Sequence, residues 1–326
     1  MLRAYGPDCD GSLIETAGSI PDGATWIDLE EPTREEEQIV EKCLGLDVPT
    51  QDELAEIEPS SRLYEKNNAI YMTMGTLYGV EDGEPASTPI GFVLAGNRLV
   101  TVRYGTPKPI RTFSAHARLD PDLVRDAPTA LIRLLDAIIE RLADELEASG
   151  AEIERISAQV FRRDARAGPS QRRIPAQRLE ALLLRIGRAQ GLLARIRETA
   201  VSAGRLIGFL AATDRMRSDE GDRERVHSLG ADVSSLIDHS AFLAQNLTFL
   251  LDASLGLISI EQNAAIKVFS VAAVVFLPPT LVAGVYGMNF EHMPELKWLA
   301  GYPFAIGIML VAAILPYWWF KRRGWL

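Results

Sequence analysis

From about Asp222 the chain runs for more than fifty residues without a proline or a loop-like cluster, and the run ends inside an apolar stretch. Pro278 is the first break. One helix of about 65 residues, on the order of 100 Å at 1.5 Å per residue, satisfies that pattern. A single rod of this length is unstable alone, so it must pack on other helices or on copies of itself.

The apolar stretch makes the constraint sharper. Residues Ala264 to Gly287 number 24 and carry one charge, Lys267; Tyr302 to Phe320 number 19 and carry none. About 20 mainly apolar residues cross a bilayer, so these segments are expected to be two transmembrane helices. A buried helical hairpin of a large soluble protein has the same apolar length. It does not account for the aromatic and basic end, Tyr317, Trp318 and Trp319 followed by Lys321, Arg322 and Arg323, which suits a membrane interface. By the same rule the basic tail, residues 321–326, marks the cytosolic side. Two spans return the chain to its starting side, so both termini are expected in the cytosol and the 288–301 connection outside.

The charged fraction, 24%, is that of an ordinary soluble protein, so the membrane character is local. Charge is local too. Residues 1–60 hold 16 acidic residues against 3 basic ones, whereas the remainder holds 28 against 31. Such a front end repels nucleic acid, which is not expected as a partner, and attracts cations. Solvated helix surface around "EEPTREEEQIVEKC" explains the same charges without a ligand. Cys9 and Cys43 stand alone, and His116, His227, His239 and His292 have no ligand spacing, so neither a disulfide framework nor a Cys/His zinc site is expected. The N-terminus is acidic where a signal peptide would be apolar, so the bulk of the chain is expected in the cytosol.

Short β-rich runs, "ATWIDLE", "NNAIYMTMGTLYGV" and "PIGFVLAGNRLVTVRYG", alternate with helical "TREEEQIVEKCLG" and "TQDELAEI". Residues 1–128 therefore read as an α/β domain, with "GNR" as a hairpin turn. Apolar residues then recur three or four apart from Thr129 to about Ala165 and from about Ala176 to Met216, separated by "RAGPSQRRIP" and ended by "RSDEGD". This predicts an antiparallel helical hairpin over 129–221, a stalk helix continuing into the first span over 222–287, and a second span over 302–320.

Steps of three or four residues back from Gly284 along the first span reach Thr280, Leu277, Ala273, Ser270, Ile266 and Asn263, and the stripe continues to Asp252. It is smaller and more polar than lipid contact requires. Such a face packs on other helices or lines a pore, and the pattern alone leaves both open. Pro278 and Pro279 bend or interrupt the span. Lys267 is expected to snorkel away from any ion path.

"YGMNF", residues Tyr286 to Phe290, stands between the two spans, and the similarity extends through "FLPPTLVAGVYGMNFEHMPELKW" to "YWWFKRRGWL". In these residues the chain resembles the CorA family of divalent-metal channels. The resemblance implies a funnel-shaped homopentamer in the inner or plasma membrane, with five copies of the first span around one ion path and the second span outside. It makes Gly287, Met288 and Asn289 the selectivity loop, and Asp252 and Asn263 polar rings toward the cytosol.

Mg²⁺ dehydrates reluctantly, so a ring of Asn289 carbonyls would hold the hydrated ion rather than strip it. Glu291 and Glu295 would concentrate cations at the outer mouth. The partners implied are the chain's own copies, the bilayer and divalent cations: Mg²⁺ as substrate and regulator, with Co²⁺ and Ni²⁺ as further candidates. No cofactor is implied. No nucleophile, base and orienting group follow one another as an enzyme requires, and no Walker motif or phosphorylated-Asp signature of an ATP-driven pump is evident. The related zinc-transporting branch and a two-span sensor with a coiled-coil rod are the alternatives. The residues of any regulatory metal site do not follow from the sequence.

Overall fold

The structure, a computed structural model, describes all residues except 15–18, 57, 162–175, 215–218, 289–292, 295–297, 299 and 324–326. The chain divides into two compact units: residues 1–162 with 180–250, and residues 163–179 with 251–326.

The first unit is built on seven strands, β1 (Leu2–Gly6), β2 (Cys9–Leu13), β3 (Trp26–Glu30), β4 (Leu63–Lys66), β5 (Ala69–Tyr78), β6 (Ala86–Ala95) and β7 (Arg98–Arg103). They form one sheet in the order β2-β1-β3-β7-β6-β5-β4, parallel only where β3 meets β7. Turn chemistry sets two of the antiparallel registers. Asn67 and Asn68, both at positive φ, close the β4–β5 hairpin as a two-residue turn, and Gly96 at φ 54 opens the β6–β7 turn at "GNR".

Helices cover both faces. On one side α1 (Arg34–Leu44) and α2 (Gln51–Ala55) press Val40 and Leu54 onto Leu2, Ile27, Leu29, Val100 and Val102. Both helices start with a capping box, Thr33 with Glu36 and Thr50 with Glu53, and Gly45 at φ 67 ends the first in the left-handed region that glycine adopts without strain. The short α3 (Pro59–Arg62) follows. On the other side α4 (Lys108–Leu119) places Phe113 against Trp26, which stacks on Tyr5 at 4.4 Å and donates its Nε1–H to Thr101 Oγ1 at 3.0 Å.

The long helices are α5 (Ala127–Phe161), α6 (Ala176–Ala212) and α7 (Glu220–Tyr286). In α5 the residues Leu131, Leu135, Ile138, Leu142, Leu146, Ile153 and Ile156 are buried, the stripe that the apolar period predicts. Arg185 of α6 reaches Glu152 and Gln159 of α5, and the Gly75 amide of β5 donates to Ser202 Oγ of α6 at 3.1 Å. The last helix, α8, spans Gly301–Arg322.

One internal contact was absent from the sequence analysis. Arg103 and Asp28 are 4% and 1% exposed and form a bidentate pair, Nη2–Oδ2 at 2.8 Å and Nε–Oδ1 at 3.1 Å. Arg103 also donates to Glu30 Oε1 and to the Gly105 carbonyl, and Thr101 Oγ1 donates to Asp28 Oδ1. Parallel register of β3 with β7 sets Asp28 beside Thr101 and Glu30 beside Arg103. The acidic front end is therefore partly consumed inside its own unit. Asp28 and Glu30 neutralise Arg103, Glu36 and Glu53 cap helices, and Glu37 and Asp47 pair with Arg34 and Lys66.

Candidate functional site: the small-residue face of the first span

Two helices, α7 and α8, are long and apolar enough to cross a membrane. Only 6% and 11% of their most apolar windows are buried within the chain, unlike core helices of a soluble protein. Helix α7 runs unbroken through Pro278 and Pro279.

Asp252, Asn263, Ile266, Ser270, Ala273, Leu277, Thr280 and Gly284 all lie on α7. At 100° per residue they occupy an arc of about 100°. Every one is exposed in the single chain, Leu277 to 66%. The opposite side of the same helix is engaged. Val271 is buried, and Pro278 lines a cavity with Pro303, Phe304, Gly307, Val311 and Leu315 of α8. Around the helix they stand roughly 130° and 110° from the middle of the stripe. The second helix thus lies beside part of α7 and leaves the small, polar face uncovered, together with large apolar residues such as Phe269, Phe276 and Leu281. That division was not legible in the sequence, because Val271 does not differ in type from its apolar neighbours and a proline does not tell which side of the helix is covered.

Polar groups within the span are partly answered locally. Thr280 Oγ1 donates to the Leu277 carbonyl at 2.8 Å, which lets a hydroxyl lie in an apolar stretch. Gly284 has nothing near the position a Cβ would take, so its smallness keeps the face flat. Lys267 sits on an exposed helical position and has an interaction within the chain.

At the end of α7 the Gly287 amide donates to the Ala283 carbonyl at 2.9 Å and the Met288 amide to the Val285 carbonyl at 3.3 Å. Gly287 is not among the residues at positive φ, so it is not a left-handed cap. A Cβ there would stand 3.1 Å from the Ala283 oxygen, a tight contact that glycine avoids. Met288 is exposed. Asn289, Glu291, His292 and Glu295 lie outside the described residues. At the far end of α8 the Arg322 guanidinium stacks over Trp318 at 3.7 Å and Arg323 over Trp319 at 4.6 Å, an amphipathic arrangement suited to a lipid headgroup layer.

Among the described residues, no three His, Cys, Asp or Glu side chains of one chain cluster to hold a metal ion. His116 lies in α4, and His227 and His239 in α7. The stripe itself offers amide, hydroxyl and carboxylate oxygens spaced along one face, which suits a hard, hydrated cation better than a soft one.

The family described as CorA-like Mg²⁺ transporter protein matches residues 21–322. A magnesium transport protein CorA of Yersinia pseudotuberculosis is 35% identical over 301 residues, 92% of each chain. That of Escherichia coli is 34% identical over 303 residues, 93% of this chain and 92% of its own. Among solved structures, the complete CorA magnesium transporter of Methanocaldococcus jannaschii superimposes with a TM-score of 0.76 over 100% of this chain and 99% of its own, at 21% identity.

Proposed function

This chain belongs to the family of CorA-like Mg²⁺ transporters, and from that membership we propose that it conducts Mg²⁺ passively into the cytosol as a homopentamer. The observation that carries this reading is the uncovered face of α7. A helix with one side occupied by α8 and a small, polar side free is shaped to meet copies of itself around an axis. Five such faces enclose a path in which Asn263, Ser270 and Thr280 offer oxygens and Ile266, Ala273 and Leu277 form apolar stretches that close by dewetting.

Selection is assigned to Gly287, Met288 and Asn289. Gly287 lets the chain leave α7 in a tight turn, and a ring of Asn289 amide oxygens accepts hydrogen bonds from the water shell of the ion. Retaining that shell avoids the dehydration barrier that Mg²⁺ imposes. Glu291 and Glu295 raise the local cation concentration at the mouth, an effect that salt screens. The inside-negative potential drives entry, at about 4.6 kcal/mol per 100 mV for a divalent ion. Residues 321–323 lie on the cytosolic side, as do both termini. Carboxylates of neighbouring subunits are the proposed regulatory ligands, bridged by Mg²⁺ when the cytosolic concentration is high.

The test is flux into liposomes containing the purified protein and a Mg²⁺-sensitive dye. Asn289→Ala is expected to assemble as the parent does and to lose Mg²⁺ uptake. Parental uptake in that variant would remove Asn289 from selection. Zn²⁺ uptake exceeding Mg²⁺ uptake in the parent would favour the zinc-transporting branch.

A further inference from the structure

The first unit holds a cavity of about 820 Å³ that has no part in the ion path. One wall is a stripe of α6, on which Leu193, Arg197, Val201 and Arg205 recur about one turn apart. The facing wall comes from the sheet and its short helices, with Leu54, Arg62, Gly75, Ser87 and Pro89. Gly75 keeps that wall open to its polar atoms. A Cβ there would stand 2.8 Å from Ser87 Oγ, and the Gly75 amide is the group that fixes Ser202 of α6.

The cavity concentrates positive charge in a chain of net charge −10. Four arginines line it, Arg62, Arg195, Arg197 and Arg205, against one carboxylate, Glu198, which Arg195 already holds at 3.0 Å. Among the described residues Arg197 and Arg205 form no ion pair, and Arg62 donates to the Glu56 carbonyl. Carboxylates are not scarce in this unit: Arg34, Arg103, Arg141 and Arg185 each have one. Three arginines without a carboxylate partner among the described residues, Arg62, Arg197 and Arg205, meet in one concavity whose floor is apolar, formed by Leu54, Pro89, Leu193 and Val201.

We propose that this cavity binds a nucleoside di- or triphosphate. Guanidinium forks match phosphate oxygens geometrically, and the volume lies within the roughly 300–1,000 Å³ of small-molecule sites. Arg197 and Arg205 are eight residues apart on one helix, about 12 Å along its axis, a span that a chain of two or three phosphates matches better than a single phosphate does. The apolar floor takes the base, and Ser87 and Ser202 are hydroxyls in reach of the sugar or phosphate oxygens. This site is independent of the assignment of the ion path.

Calorimetric titration of the full-length protein in detergent with ATP tests it, in EDTA so that metal-free nucleotide is the only ligand. The parent is expected to bind, and the double variant Arg197→Gln/Arg205→Gln to bind at least about tenfold more weakly. Arg188→Gln, an exposed position of α6 outside the cavity lining, is expected to bind as the parent does. Inorganic phosphate is expected to bind about tenfold or more weaker than ATP. No heat of ATP binding, equal affinity in the double variant, or inorganic phosphate matching ATP would overturn the proposal. Access is read separately by maleimide labelling of Ala194→Cys on the cavity wall. Labelling blocked by ATP supports the site; a thiol inert without nucleotide means that another copy of the chain fills the cavity, which also overturns it.

Discussion

In the first unit Arg103 and Asp28 lie inside the fold and Leu94 is fully buried, whereas in the second unit Leu310 is 56% exposed and Lys321, Arg322 and Arg323 stand together at the end of the chain. The same side-chain types have changed places. In water, apolar surface gains free energy by leaving solvent, and a buried ion pair survives only when its hydrogen bonds are complete. In hydrocarbon there is no such drive, because lipid tails are as apolar as leucine, and what must be satisfied is the backbone and every polar group. The exposed leucines of α8 are therefore as informative as the buried ones of β6. Each records the solvent that its unit meets.

Breaking the internal ion pair should give the largest effect. Arg103→Ala leaves Asp28 charged and buried without its partner, and is expected to cost the first unit about 3–5 kcal/mol. Hydrogen exchange of the β3 and β7 amides is the measurement, with protection falling there and not in α8. The double change Arg103→Met/Asp28→Leu should recover most of the loss, since an apolar pair of similar volume removes the buried charge.

The second contrast uses one substitution in both places. Leu94→Ala should cost about 2–5 kcal/mol, the transfer term plus the cavity left in a packed sheet face. Leu310→Ala should cost less than about 1 kcal/mol, because lipid replaces the lost methyl groups. Equal losses in thermal unfolding would mean that α8 is packed in protein on the side where Leu310 lies.

A charge sharpens the same comparison. Leu310→Lys places an ammonium near the middle of α8 and should penalise membrane insertion by about 2.5–3.5 kcal/mol, read as the inserted fraction in microsomes. Leu119→Lys, at an exposed helix end of the first unit, should stay within about 0.5 kcal/mol of the parent.

The smallest effect concerns acid. Burial raises the Glu30 carboxyl, but the Thr106 hydroxyl and Arg103 outweigh it and hold the group below its ordinary value of 4.5. A depressed carboxylate stabilises the fold fully above its unfolded value and loses that contribution as pH falls through the lower folded one. Glu30→Gln should therefore flatten the fall in stability below about pH 4.5 that the parent shows in the first unit, while the second unit shows no matching change.

These contrasts also explain how much could be read in advance. Apolar length and the missing break were enough for the unbroken α7 and for α8, and turn chemistry at "GNR" was enough for the β6–β7 hairpin. Signals of that kind are local. The Arg103–Asp28 pair joins residues 75 positions apart through strand register, and nothing near either residue marks it. The acidic excess of residues 1–60 is ambiguous for the same reason, since composition counts a carboxylate alike whether it faces solvent, caps a helix or holds a guanidinium. For the site, period and residue size made the stripe on α7 visible, and the engaged side of the helix appeared only with Val271 buried and α8 beside Pro278. The motif residue Asn289 lies outside the described residues and rests on resemblance.

The proline pair within α7 has a consequence for the peptide groups one turn before it. Pro278 and Pro279 have no N–H, so the carbonyls of Val274 and Val275 lose the donors that the next turn would supply. In an apolar stretch each of these carbonyls needs another donor, because an unsatisfied group there costs several kcal/mol. Hydrocarbon offers them nothing. Water admitted along the helix, a local tightening of the turn or a hydroxyl from a neighbouring helix would each answer them, and so a pair of missing hydrogens makes this stretch of the span depend on what lies beside it.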